Sequence, residues 1–267
     1  MTAPLTLDTA TSQRISRAPT WLAALRTILL AVLLALGVRT FVAEPFSIPS
    51  ASMQPTLMAG DFILVAKYPY GYSRASFPFR IAPIEGRIGA TLPSRGDVIV
   101  FTDPAGGEMN FVKRVIGLPG DQIRMAEGVL FLNDEPVPRR RIADSVVPIS
   151  PNTRCEAGRQ VGDECVFRQY VEELPGHGPI RTLHGPYMAA LDDTDTFIVP
   201  DNSLFVMGDN RDNSEDSRAP QGFGMVPLQN LVGRASISFL SLDGSARLDD
   251  PGSWIAAVRF DRIGRRL

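Results

Sequence analysis

The sequence predicts a mostly β protein: a β-rich domain with an inserted second subdomain, preceded by one N-terminal transmembrane helix. Three observations carry that expectation. An apolar run extends from Trp21 to Ala43. After it come short apolar or alternating segments bounded by turn residues, in a chain with 22 prolines and 23 glycines. Between 133 and 195 the pattern turns polar, with Arg139-Arg140-Arg141, both cysteines and few clear strands, which reads as an insertion. A length of 267 residues suits one large domain or a domain with a sizeable insertion.

Residues 1–20 carry Arg14 and Arg17 against a lone Asp8 and read as a disordered cytoplasmic tail. Residues 21–43 are long enough to cross a bilayer, which takes ~20 residues, with Arg26 and Arg39 reaching toward the two interfaces. Arg14, Arg17 and Arg26 precede the span, so the N-terminus is expected inside and everything after 43 outside, periplasmic to a cytoplasmic (inner) membrane. A cleavable leader is the competing reading, with Ile28–Val38 as its apolar core and Ala35-Leu36-Gly37 as a small-x-small cut site. Continued apolarity through Phe41-Val42-Ala43 favours the anchor. Both readings export the bulk of the chain.

Strands are expected at Phe62–Ala66, Val98–Thr102, Phe111–Ile116, Ile123–Ala126, Val129–Leu132, Thr196–Val199, Leu204–Met207, Ala235–Leu240 and Ala256–Phe260. Glu127-Gly128 is a hairpin signal. Residues 71–94 read as a long loop or extended ribbon. The β-rich domain is thus 44–121 plus 201–267, with 122–200 inserted. Cys155 and Cys165 lack CxxC spacing; in an oxidising compartment they form a disulfide, and otherwise they are two free thiols.

Composition narrows function. A net charge of −2 and a pI near 5.8 exclude a basic nucleic-acid binder. Of 27 basic residues only two, Lys67 and Lys113, are lysines. Arginine keeps its proton in proteins whereas a desolvated lysine can lose it, so each lysine is a candidate for work arginine cannot do. Lys67, beside Tyr68-Pro69-Tyr70, reads as a chance survivor.

Lys113 interrupts an apolar strand, Asn110-Phe111-Val112-Lys113-Arg114-Val115-Ile116-Gly117, and alternation sets it and Arg114 on opposite faces. One of the two cations therefore faces a protected side. A base near neutral pH needs a lysine pKa of about 7–8, which apolar burial can supply. The bland alternative is a solvent-facing edge lysine.

Two further stretches complete the chemistry. Ile48-Pro49-Ser50-Ala51-Ser52-Met53-Gln54-Pro55-Thr56-Leu57 sets two hydroxyls between prolines that stiffen the backbone, a good mount for a nucleophile, or simply a turn leaving the membrane segment. Gly208-Asp209-Asn210-Arg211-Asp212-Asn213-Ser214-Glu215-Asp216-Ser217-Arg218 fails EF-hand spacing and fits an ion-pair and hydroxyl network able to hold a neutral lysine. His177 and His184 lie in a Gly/Pro-rich stretch away from any strand-end carboxylate, which disfavours a Ser-His-Asp triad. No HExxH or paired His/Cys cluster is present, which disfavours a zinc hydrolase.

Those stretches resemble the type I signal peptidases (leader peptidases), membrane-anchored Ser-Lys proteases of bacteria. The likeness rests on Pro49–Leu57, Gly60-Asp61-Phe62-Ile63-Leu64-Val65, Arg95-Gly96-Asp97-Val98-Ile99-Val100-Phe101, Lys113-Arg114-Val115-Ile116-Gly117-Leu118-Pro119-Gly120-Asp121 and Gly208–Arg218. These boxes keep their order across roughly 40–240, and Arg262-Ile263-Gly264 adds a further match.

By position, the resemblance makes Ser52 the nucleophile and Lys113 the general base. The Ser52 backbone N–H and the Ser50 hydroxyl become the oxyanion donors. Ser214 orients Lys113 with Asp216 close by, and Arg114–Asp209 and Asp216–Arg218 are structural ion pairs. Phe46, Ile48, Met53, Leu57, Phe111 and Val112 match the walls of pockets for small residues, implying cleavage after Ala-x-Ala.

The implied partners are preprotein signal peptides, the lipid bilayer and a nearby export translocase, with no nucleic acid; the resemblance implies no metal or organic cofactor. Departures are the single span, Ala51 where glycine is common, and a longer cysteine loop. Two alternatives stay open: a Ser-Lys maturase of pilus or conjugation proteins, and a noncatalytic anchored adaptor. A soluble self-cleaving repressor is disfavoured by the apolar span.

Overall fold

The computed structural model describes residues 20–153, 160–185, 191–220 and 222–267. The chain divides into two compact units, 1–37 and 38–267. The described part of the first is helical and belongs to α1, Thr20–Phe41. Its leucines and isoleucines are exposed all around, among them Leu25, Ile28, Leu29, Leu33 and Leu34. A helix apolar on every side needs apolar surroundings, and among the described residues this is the helix long and apolar enough to cross a membrane.

The helix stops short of the expected Ala43 because the chain is captured there. The Val42 carbonyl accepts from Lys67 N at 3.0 Å, and Ala43 opens a strand. Arg39 pairs with Glu44 at 2.7 Å.

In chain order the second unit contains β1 Ala43–Ser47, β2 Asp61–Ala66, β3 Tyr72–Ser73, β4 Arg87–Ile88, β5 Val98–Thr102, β6 Asn110–Gly117, β7 Gln122–Ala126, β8 Val129–Leu132, β9 Glu135–Pro136, β10 Arg139–Pro148, β11 Glu164–Glu173, β12 Pro179–His184, β13 Phe197–Ile198, β14 Ser203–Met207, β15 Val226–Pro227 and β16 Leu231–Ser241. The mostly β class is as expected. The main sheet is antiparallel in the order β1-β2-β16-β5-β6-β14-β15.

Every residue of β5 is buried, because apolar clusters cover both sheet faces. Val98 and Val100 pack with Ile63, Val65 and Leu57 on one side. Ile99 and Phe101 pack with Val115, Val206 and Tyr70 on the other.

The stretch 122–200 forms two smaller sheets, β13-β7-β8-β9 and β10-β11-β12. Its Ile123, Met125 and Leu130 share a core with Ile116, Phe205 and Met207 of the main sheet. The sequence showed few strands here, yet β10 and β11 run ten residues each. Their faces are largely polar, and Tyr170 of β11 packs against the guanidinium groups of Arg139 and Arg141, 4.8 and 5.9 Å from its ring centre. Such pairs hold a ribbon without apolar alternation.

The Cys155–Cys165 pairing expected from sequence lies outside the described residues, because Cys155 does. Cys165 itself is buried beside Phe167 and Leu183.

One other expectation changes, and one pair of readings resolves to the loop. The strand proposed at Ala256–Phe260 is instead the end of a short helix, α2 Pro251–Ala256, followed by a turn. Asp250 caps that helix by accepting from Gly252 N, and Pro251 suits its first turn. Only Val258 keeps a bridge, to Leu242. Residues 71–94 are turns rather than a ribbon, apart from the two-residue pairing of β3 with β4. The Arg87 guanidinium fastens them by donating to the carbonyls of Tyr70, Gly71, Leu228 and Leu231.

Candidate active site

Ser52 and Lys113 meet, 61 residues apart in sequence, with Nζ 2.7 Å from Oγ. Lys113 sits mid-β6 opposite Ile99 of β5, and its neighbour Arg114 pairs opposite Met207 of β14. Alternation set one of these cations on a protected side. Both are in fact buried, because β6 lies inside the sheet with cores on both faces.

Burial pushes the Lys113 ammonium down from 10.5 to about 8. The Asp216 carboxylate opposes that shift, and the Arg218 guanidinium adds to it. No carboxylate forms an ion pair with Lys113 among the described residues.

The Ser52 loop is held from three directions. Inside it, Gln54 N donates to Ala51 O at 3.1 Å and Leu57 N to Met53 O at 2.9 Å. From the far side, Asn210 N donates to Ser52 O at 3.0 Å and Asn210 Nδ2 to Ala51 O at 3.3 Å. From the C-terminal end, Arg262 donates to Thr56 O at 2.9 Å while bound to buried Asp61 at 2.6 Å. Burial would raise the Asp61 carboxyl, but hydrogen bonds from Arg262, Ser241 and Met58 N hold it below the usual range. Ser50 Oγ lies 3.3 Å from Ser52 Oγ.

The 208–218 loop leaves β14 beside Lys113. Arg114 grips Asp209 through Nε at 2.7 Å and a second nitrogen at 2.6 Å, and Thr56 also donates to Asp209. Arg218 grips Asp216 through two nitrogens at 2.9 Å each. Asp216 Oδ2 in turn accepts from Gly208 N at 3.0 Å. Burial favours the protonated acid, but Arg218 outweighs it and the Asp216 carboxyl is lowered.

Gly208 is dictated by crowding. A Cβ there would lie 2.3 Å from Ser214 Oγ and 2.4 Å from Ser52 O. The Ser214 hydroxyl is buried without a partner, so its expected bond to Lys113 is not formed here.

Of the expected wall residues, Phe46, Ile48, Met53, Leu57 and Val112 pack in one cluster under the serine loop. Phe111 belongs to the opposite face, stacked on Phe101 with ring centres 5.8 Å apart. A cleft lined by Ile48, Pro49, Ser50, Ala51, Asn152 and Asn213 opens beside the serines. A larger cleft lined by Arg74, Arg80, Glu85 and Asp103 touches neither Ser52 nor Lys113.

Several residues escaped the sequence reading. Thr56, Asp61 and Arg262 tie the serine loop down. Lys67 is no chance survivor: it is fully buried, pairs with Glu44 at 2.7 Å and donates to Ser76 O. Its only sequence signal was the scarcity of lysine.

His184 ends β12 and does lie near strand and loop carboxylates, with Nε2 3.9 Å from Glu172 Oε1, contrary to expectation. Glu172 and Arg211 form a buried pair. Burial would raise the Glu172 carboxyl, but Arg211 and then His184 bring it down to about 2.

The profile of the family described as "Signal peptidase, peptidase S26" matches residues 21–240. A protein called Signal peptidase I from Rickettsia canadensis (strain McKiel) is 33% identical over 278 residues, spanning 98% of this chain and 97% of the relative. Signal peptidase I from Rickettsia felis is 34% identical over 257 residues, spanning 88% of this chain and 89% of the relative. Among solved structures, a signal peptidase I from Enterococcus faecalis is 22% identical with a TM-score of 0.29, covering 55% of this chain and 98% of its own.

Proposed function

Because this chain belongs to the signal peptidase S26 family, which indicates a serine protease that removes signal peptides, we propose that it is a membrane-bound endopeptidase working through a Ser52/Lys113 dyad. The observation that carries the dyad is the 2.7 Å contact between a loop serine and a buried lysine whose pKa falls to about 8. At neutral pH a usable fraction of that lysine is the free amine, which is the form able to accept a proton.

Neutral Lys113 takes the Ser52 proton as Oγ attacks the scissile carbonyl of the preprotein. The tetrahedral oxyanion is received by the Ser52 N–H and the Ser50 hydroxyl, and 3.3 Å between the two serine oxygens supports that role for Ser50. Lys113 then returns the proton to the leaving amine, giving an acyl-enzyme and a freed mature N-terminus. Water, deprotonated by the same amine, attacks the ester; Ser52 is released with its proton and the signal peptide leaves as a carboxylate. Ser214 acts as an orienting hydroxyl once Lys113 turns between these steps.

Small residues at the first and third positions before the cut fit the apolar walls at Ile48, Met53, Leu57, Phe46 and Val112. Phe111 contributes from the edge of the opposite cluster. Such walls discriminate by about 1–3 kcal/mol per methylene, so two pockets are needed for fidelity.

The apolar helix anchors the chain, and the arginines before it direct the N-terminus to the cytoplasm of a bacterial inner membrane, with the catalytic unit outside near the export translocase. The 44–121 and 201–267 segments form the catalytic scaffold, and 122–200 serves as an insertion that braces it.

The test is cleavage of a purified preprotein by the detergent-solubilised full chain, compared with Ser52→Ala and Lys113→Arg. Cleavage after Ala-x-Ala by the unaltered chain alone is expected. Normal cutting by Lys113→Arg would overturn the dyad, since arginine keeps its proton. Failure of the unaltered chain on a general preprotein would favour a dedicated pilus-protein maturase or the adaptor.

A further inference from the structure

We propose that His184, Asp192 and Asp212 hold a divalent cation of the zinc or manganese class that fastens the inserted ribbon to the 208–218 loop. This inference stands independently of the protease reading.

Three chain segments converge there: the end of β12, the start of the stretch after residue 190, and the loop following β14. One donor atom from each residue lies within 4.8 Å of the other two. Some point lies within about 2.8 Å of all three atoms, since a circle of that radius covers any triangle with sides of 4.8 Å or less. Zinc–nitrogen and zinc–oxygen bonds are about 2.0–2.2 Å, so each donor closes by well under an ångström. Three protein ligands leave further positions for water or another donor.

A second observation separates this cluster from an ordinary acidic patch. His184 Nε2, Asp192 Oδ1 and Asp212 Oδ1 are each buried without a hydrogen-bond partner. Their residues include two that are nearly sealed, His184 at 4% and Asp212 at 1% exposure. Buried polar atoms are nearly always satisfied, and three orphans within one small volume share one missing partner.

The two carboxylates also lack a direct ion pair. Nearby Glu172 is paired with Arg211 and Asp216 with Arg218. Asp192 and Asp212 have no ion pair among the described residues, which leaves two carboxylates beside a histidine; a dication supplies the charge they lack. The second Asp212 oxygen is fixed by Gly185 N at 2.8 Å, which orients the carboxylate. Imidazole among the donors favours zinc over calcium or magnesium, and the two carboxylates also suit manganese.

Asp212 is two residues before Ser214 and four before Asp216, so an ion here would stiffen the loop that clamps Ser52. The test uses the detergent-solubilised full chain, stripped with EDTA, dialysed against zinc chloride or manganese chloride, and read by metal analysis, titration calorimetry and thermal unfolding.

The expected result is one ion per chain, a Tm raised by several degrees, and at least a tenfold loss of affinity in Asp192→Asn and His184→Gln. Asp192 is only half-buried, so that variant folds and keeps the test valid if His184→Gln does not. Less than stoichiometric binding of both metals would overturn the proposal. So would equal binding by the unaltered chain and Asp192→Asn, which would mark an adventitious ion only.

Discussion

Replacing Lys113 by methionine should abolish cleavage and yet make the protein more stable at neutral pH. Folding moves this lysine from a pKa of 10.5 to about 8. Below pH 8 the group is charged in both states, so burying it costs the full shift, roughly 3 kcal/mol at 1.36 kcal/mol per unit. Between 8 and 10.5 the unfolded chain holds the extra proton, so stability rises with pH and the cost falls below about 1 kcal/mol by pH 10.

Methionine fills the same volume without a charge. It forfeits the Ser52 contact, worth about 1 kcal/mol, so a net gain of about 2 kcal/mol is expected at pH 7. Denaturant unfolding of the full chain in detergent, for both proteins at pH 7 and pH 10, supplies the comparison. Every other titrating group cancels in the double difference, which should shrink by about 2–3 kcal/mol at pH 10. A Lys113→Met protein no more stable at pH 7, or a difference independent of pH, would refute the claim that this lysine is buried at the expense of stability.

The cleavage rate, as kcat/KM, should rise about tenfold per pH unit below 8 and level off above it. The exposed Glu215 carboxylate favours the charged lysine, so Glu215→Gln should move that midpoint to lower pH, more at low salt than high. Ser50→Ala should lower kcat by about 10²–10³ with KM little changed, measured with a fluorogenic signal-peptide substrate. Asp209→Asn strands the buried Arg114 guanidinium and should cost about 3–5 kcal/mol in unfolding experiments.

What the sequence revealed follows from where information is local. β2, β5, β6 and β8 were legible because each is an apolar run closed by turn residues and facing a core. β10 and β11 were not, because they pair mainly with each other and their polar faces satisfy one another across the ribbon, a fact that belongs to two segments at once. The Ala256–Phe260 run looked like a strand until Asp250 and Pro251, a capping pair upstream, claimed its beginning for a helix. In the site, the serine box, the lysine strand and the Asp/Asn loop carry composition unusual enough to stand out. The contacts of Thr56, Arg262 and Asn210 were not legible even so, since a threonine, an arginine and an asparagine gain meaning only through the groups they meet 58 to 206 residues away. His184 was misjudged for the same reason: its carboxylate neighbours are distant in sequence, or lie on the adjoining strand β11, and become neighbours only in the fold.

The two lysines show how one residue type is put to opposite uses by its partners. Both are buried in a chain that otherwise relies on arginine. Lys67 has Glu44 at 2.7 Å, so its charge is compensated and it ties β1 to the turn at Ser76 as a structural cation. Around Lys113 the buried carboxylates that might do the same are already occupied, Asp209 by Arg114 and Asp216 by Arg218, and Glu215 is exposed. The arginines hold those acids in place and leave the lysine only a serine hydroxyl. An unpaired cation in low dielectric gives up its proton, and arginine in the same position would not. The buried arginine pairs are weak evidence for stability on their own. They are better understood as what keeps the carboxylates from pairing with Lys113, which lets its pKa fall far enough for the proposed dyad.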